Sequence, residues 1–176
     1  MAKSLKSEYK KFMLPDPNVR HGYRESGSGK KGLVICEKCK IFYYKKAWHH
    51  DAENFIAKRE NKDLPVNFAL CPACKMIADK QYEGRIVIKG FPEKLEFDLL
   101  ALIRGYCKRA YDRDHLDRLI EIKKEGADWI VFTTENQLAH KLAKKIKDAF
   151  NEVKVKTSFD AAPSDVALIT VEFLSP

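Results

Sequence analysis

Two Cys-x-x-Cys pairs, Cys36-Glu37-Lys38-Cys39 and Cys71-Pro72-Ala73-Cys74, constrain what this chain can fold into more than any other feature. Each pair places two thiolates on one side of a tight turn. Two such turns facing each other make a tetrahedral four-sulfur cage, which is how a structural zinc ion (Zn2+) is held with no coordination position left open. The pairs are separated by 31 residues, more than the ribbon loop of about 15–20 residues usual for such sites. The spacing therefore predicts an inserted hairpin or short helix. Redox Cys-x-x-Cys motifs occur singly, at a helix start in a βαβ context, and disulfides need an oxidising compartment. Cys36, Cys39, Cys71 and Cys74 are thus the candidate ligands and zinc the expected cofactor.

Compartment and partner follow from the charges. The amino terminus, Met1-Ala2-Lys3-Ser4-Leu5-Lys6, leads into no apolar run, so neither a signal peptide nor a membrane span is expected and the cytoplasm is the expected location. The net charge of +8 is one-ended: residues 1–50 hold 12 Lys/Arg against 4 Asp/Glu, whereas residues 83–176 hold 16 of each. Such a basic end is the footprint of a polyanion, most often nucleic acid. The stretch Gly29-Lys30-Lys31 only imitates a phosphate-binding loop. That motif needs glycine where Arg24 stands and Ser or Thr where Lys31 stands.

Composition and periodicity divide the chain into three. Residues 1–32 are polar and basic and read as a flexible tail. Residues 33–82 carry the cysteines as a zinc ribbon module. Leu33-Val34-Ile35 and Ile41 to Tyr44 form strands around the first pair, Asp51 to Lys62 a helix ended by Pro65, and Asn67 to Leu70 a return to the second pair. Residues 83–176 predict the order β-α-β-β-α-β-β, an α+β domain whose first six elements match the split-βαβ, ferredoxin-like arrangement. Its first helix carries Leu95, Leu99, Ile103, Tyr106, Cys107 and Ala110 on one face, with Cys107 expected as a buried thiol. Its second follows a Thr134–Gln137 capping box. His115 and His140 are expected at the surface. Lys141, Lys144, Lys145 and Lys147 read either as a second phosphate patch or as an ordinary solvated face.

Basic residues interleave with aromatics around the first cysteine pair. Cations suit phosphates and rings suit unpaired bases, so Lys38, Lys40, Tyr43, Lys45, Lys46, Trp48 and His49 are candidate RNA contacts, with Lys30 and Lys31 of the tail. Phe42 and Tyr44 are expected to shield the sulfurs instead, with Trp48 open to either role. No spacing of carboxylates, histidines or Cys107 marks a catalytic set, and a four-thiolate zinc has no site for water. No enzyme and no small-molecule substrate is expected.

These stretches, together with Lys46-Ala47-Trp48, the run Cys71 to Asp79 and the run Gly126 to Lys145, resemble the amino-terminal part of the nonsense-mediated-decay-protein-three family, the ribosomal large-subunit export adaptors. The resemblance spans roughly residues 33–175. It implies zinc on Cys36, Cys39, Cys71 and Cys74, and association with the ribosome through rRNA of the large subunit, with ribosomal proteins as further partners. The chain lacks the additional Cys pairs and export-signal extensions of the eukaryotic adaptors. Subunit maturation, storage or hibernation is therefore the expected role. The alternative is a zinc-ribbon adaptor for a protein partner, for example in transcription.

Overall fold

Alternation with a period of two and stripes with a period of 3.6 divide the backbone as the side chains require. The computed structural model describes residues 9–11, 32–58, 63–159 and 166–174. They fall into two compact units, one within Pro15–Lys75 and one joining Met76–Pro176 to residues of Met1–Leu14. No helix among the described residues is long and apolar enough to cross a membrane.

The described chain begins with β1 (Lys10–Lys11). The first unit holds β2 (Leu33–Cys36), β3 (Phe42–Tyr44), β4 (Ala47–His49), α1 (Ala52–Ala57) and β5 (Val66–Ala69), and it ends inside α2 (Pro72–Ala78). Its sheet runs β4-β3-β2-β5, with β2–β5 parallel and the other pairs antiparallel. Leu33, Ile35, Phe42 and Ala52 are buried together, with Tyr44, Phe55, Ile56 and Leu64 packed against them. Asp51 caps α1 by accepting from the backbone N–H of Asn54 at 3.1 Å. The helix is shorter than the expected Asp51–Lys62 and ends at Ala57, with Lys58 already extended.

The second unit contains β6 (Gln81–Tyr82), β7 (Gly84–Lys89), α3 (Glu96–Arg113), β8 (Leu119–Glu125), β9 (Asp128–Thr133), α4 (Asn136–Ala149), β10 (Val153–Phe159) and β11 (Ala167–Phe173). This is the ferredoxin-like α+β domain. Its sheet order, β10-β11-β7-β9-β8, shows where the seventh element goes. In the ferredoxin pattern the strand after the second helix lies beside the first strand. Here β11 takes that place, parallel to β7, and β10 moves to the edge. The side chains explain the exchange. Ala167, Ile169, Val171 and Phe173 are buried along β11, whereas β10 carries Lys154 and Lys156 and is mostly exposed, which suits an edge strand. The helices pack on one sheet face through Leu99, Ile103, Cys107, Leu138, Leu142 and Ile146, over Ile86, Ile88, Val131 and Ile169. Cys107 is the buried thiol expected. Gly84 lies where β7 meets α4, and a Cβ there would collide with Ala139 and Thr133.

Four expectations change. The described residues divide after Lys75 rather than at the expected 82/83, and Tyr82 packs on Phe132 at 4.9 Å within the second unit. Part of the expected tail belongs to that unit too. Lys10–Lys11 pair in parallel with Gln81–Tyr82, and Tyr9 lies 5.2 Å from the Phe132 ring. The tail residues 1–8 and 12–31, Lys30 and Lys31 included, lie outside the described residues. Finally, Thr134 does not cap α4. Its hydroxyl donates to Leu116 O at 2.6 Å and accepts from Arg118 N–H at 2.8 Å, tying the loop before β8 to the end of β9. His115, expected at the surface, has a ring nitrogen buried in this same loop.

Glu135, at the start of α4, is half-buried. Burial, and then Glu83, Asp117 and Asp114, push its carboxyl up to about 7. A carboxyl raised in the fold stabilises it while protonated and loses that contribution as pH rises from the unfolded value toward 7. Glu135→Gln is therefore expected to stabilise the protein at pH 8 by on the order of 1 kcal/mol and to be near neutral at pH 5, as read by urea unfolding at the two pH values.

Candidate metal centre

The knuckle at Cys36 is set by backbone. Cys36 N–H donates to Ile41 O at 2.7 Å and Lys40 N–H to Cys36 O at 3.0 Å. The return at Lys40 needs a left-handed residue, and Lys40 adopts φ 64° where glycine is usual. The parallel register Cys36↔Ala69 then carries the chain past the knuckle, with Glu37 N–H donating to Ala69 O at 3.3 Å, so that Cys71 arrives beside Cys36.

The second pair is the start of a helix, which begins at Pro72. Cys71 precedes α2, Pro72 takes the first helical position where its missing N–H is harmless, and Cys74 lies in the first turn. Cys71 Sγ accepts the Cys74 N–H at 3.4 Å, as a capping side chain would, and Lys75 N–H closes the first turn on Cys71 O at 2.9 Å. Cys71 N–H in turn donates to Cys36 Sγ at 3.3 Å. The four sulfurs lie within 4.8 Å of one another, and Cys39 and Cys71 are 3.7 Å apart. Four sulfurs at about 2.3 Å from a tetrahedral ion stand about 3.8 Å apart, so the cluster fits a metal ion. All four thiols are unbridged, and Cys36, Cys71 and Cys74 are buried.

Proton affinities differ across the cluster. Burial opposes ionisation of Cys36, but N–H donors of Cys39, Cys71 and Lys38 outweigh it and bring the thiol down to about 6. Burial pushes Cys71 up, reinforced by the charges of Cys39 and Cys74. Burial likewise raises Cys74 to about 11. A metal must displace the protons of Cys71 and Cys74, so its binding is opposed by acid.

The strands beyond the knuckle sort the candidate contact residues by face. Tyr43 and Trp48 are cross-strand partners with ring centroids 5.3 Å apart, and Val34 is the next partner of Tyr43. Phe42 and Tyr44 point to the other face, 4.5 Å and 4.9 Å from Phe55. Trp48, assigned in part to the core from sequence, lies with Tyr43 instead. His49 is on the core side, 5.1 Å from Phe42 and 3.2 Å from Tyr44 O, and so parts from the other candidates. Lys45 and Lys46 form a two-residue hairpin turn with φ 47° and 67°, both exposed. Lys38 and Lys40 occupy the knuckle at the opposite end of β3, about 10 Å of strand away. Strand β4 escaped the sequence reading because its turn is Lys-Lys rather than Asn-Gly. The two residues between Tyr44 and Ala47 were the available signal.

Substituting Cys74 by Ser is expected to abolish stoichiometric metal uptake, measured by elemental analysis. In the unaltered protein, affinity for added zinc should rise from pH 6 to pH 9 in competition with a chromophoric chelator. A pH-independent affinity would contradict the raised thiols of Cys71 and Cys74.

Comparison with protein-family models and with curated proteins finds no match for this chain.

Proposed function

We propose that this protein is a non-enzymatic zinc protein of the cytoplasm that binds rRNA on the ribosome, on the large subunit by its resemblance, in maturation, storage or hibernation. Zinc is the metal because four thiolates in a closed set suit it and leave it no open position. The ion is then structural. It supplements the small cluster of Leu33, Ile35, Phe42 and Ala52, in a module of a size that seldom holds itself together by apolar burial alone.

One observation carries the RNA reading. Three lysines of the module, Lys40, Lys45 and Lys46, occupy left-handed backbone at exposed positions. A side chain there costs roughly 1–2 kcal/mol relative to a right-handed residue, and glycine or asparagine relieves it. Strained residues cluster where function requires them. Here strain coincides with positive charge on both sides of the Tyr43–Trp48 pair, a combination suited to phosphates and unpaired bases.

A second reading, the protein adaptor, is favoured by β5. This strand lies at the sheet edge, with Val66 40% and Phe68 62% exposed. Such an edge suits strand addition by a protein partner.

Sedimentation of the tagged protein from lysate at low and high salt, with a nuclease-treated control, separates the two. The rRNA reading expects co-migration with a ribosomal particle that high salt or nuclease abolishes. A small, nuclease-resistant complex would move the assignment to the adaptor. Lys45→Asn with Lys46→Gly should raise the unfolding free energy by about 1 kcal/mol while weakening ribosome association. A variant that gains stability and binds as before would remove these lysines from the interface.

A further inference from the structure

Residues 83–176 carry no net charge, yet the fold sorts their charges by layer. Helices α3 and α4 hold eight Lys/Arg and four Asp/Glu between them, so the remainder of that stretch holds the balancing excess of acid. Where the two helices meet, Tyr106, Arg109, Asp112, Arg113 and Lys145 line an open groove. The Arg109 guanidinium lies back along α3, with Nη1 3.4 Å from the position a Cβ on Gly105 would occupy. The one carboxylate of the groove, Asp112, pairs at 3.5 Å with Lys108 rather than with a cation of the groove. Arg113 offsets part of the burial that raises the Asp117 carboxyl. Arg109 and Lys145 have no ion pair among the described residues.

The other flank of α4 presents a ring. Phe159, at the end of β10, is 60% exposed and stacks with His140 at 5.5 Å. Lys144 and Lys147 are exposed and follow His140 at helical spacings of four and seven residues, on the same side of the helix.

We propose that the α3/α4 face is a second nucleic-acid-binding surface, separate from the four-cysteine module. It takes a single-stranded RNA, with phosphates on Arg109 and Lys145 and an unpaired base on Phe159. Guanidinium forks match phosphate oxygens. An exposed ring among lysines matches a base that a single strand offers and a duplex withholds. An acidic protein would satisfy the cations but bring no flat partner for Phe159. The inference shares with the proposed function the premise of an RNA partner, and it requires neither Lys45 nor Lys46.

The test is fluorescence anisotropy of the full-length, metal-loaded protein across a salt series. The probes are a labelled single-stranded RNA of about 16 nucleotides and its duplex. Arg109→Glu with Lys145→Glu should weaken binding and lower the slope of log affinity against log salt by about 1.4, two phosphate contacts at roughly 0.7 each. Phe159→Ala should weaken single-strand binding about five-fold or more and leave duplex binding unchanged. Wild-type affinity and slope in the double variant would overturn the surface, and an unchanged single-strand affinity in Phe159→Ala would remove the stacking. Lys45→Glu with Lys46→Glu, measured alongside, separates this face from the module. Loss there alone sinks the helical surface and keeps the module, loss in the helical variant alone does the reverse, and wild-type protein that binds neither probe sinks both. All five substituted side chains are exposed. Should the double variant lose its circular-dichroism spectrum, Lys145→Gln alone is expected to lower the slope by about 0.7, and an unchanged slope would overturn the contact.

Discussion

Parallel pairing of Leu33–Cys36 with Val66–Ala69 is the constraint from which the four-cysteine module follows. Parallel neighbours cannot be joined by a tight turn and need a crossover of about a dozen residues or more. The β3–β4 hairpin and α1 fill that crossover, which gives the long interval between the Cys pairs a physical reason. Once the register places Ala69 beside Cys36, the next two residues deliver Cys71 to the knuckle. Backbone N–H groups of Cys71 and Cys74 then aim at sulfur. The cage is thus organised by strand register and by a helix start, and a metal ion would tighten sulfurs that already face one another.

The same module accepts backbone strain at its surface. Lys40 turns the knuckle and Lys45-Lys46 turn the hairpin, all at positive φ. The core face of the sheet, with Phe42, Tyr44 and Phe55 in contact, fixes the register that holds these turns in place. Packing on one face therefore supports charge at the ends of the strands, and Tyr43 with Trp48 occupies the face between. The α+β unit arrives at a cationic surface differently. Its helices pack through apolar stripes, and what remains outward on α3 and α4 is mostly Lys and Arg.

Much of this was legible in the residues. Thiolate pairs, alternating Val and Ile on β7 and β11, and the leucine stripes of α3 and α4 each reflect a local rule that packing enforces. What stayed hidden depends on distant partners. Nothing in Lys10-Lys11 announces a strand, because two residues carry no periodicity, and the pairing with Gln81–Tyr82 exists only once Tyr9 has Phe132 to rest on. The inward place of β11 depends on a comparison with β10 that no single strand reveals. Thr134 looked like a helix cap because its spacing to Gln137 allows one, and it was drawn instead to the polar backbone of Leu116 and Arg118. His49 sits next to Trp48 in sequence, yet strand alternation sends neighbours to opposite faces.

The chain leaves the α+β unit after β1 and re-enters it at β6, and this detour fixes an order of events during synthesis. The four cysteines of the module have emerged before β7 exists, so the module could close around an ion while the rest of the polypeptide is still being made. Tyr9 and its strand are translated before the module, but the surface that receives them is built from Tyr82, Phe132 and Val166, all of which follow it in the chain. Strand β1 must therefore wait until Val166 has been made. Its docking marks completion of the fold rather than its beginning.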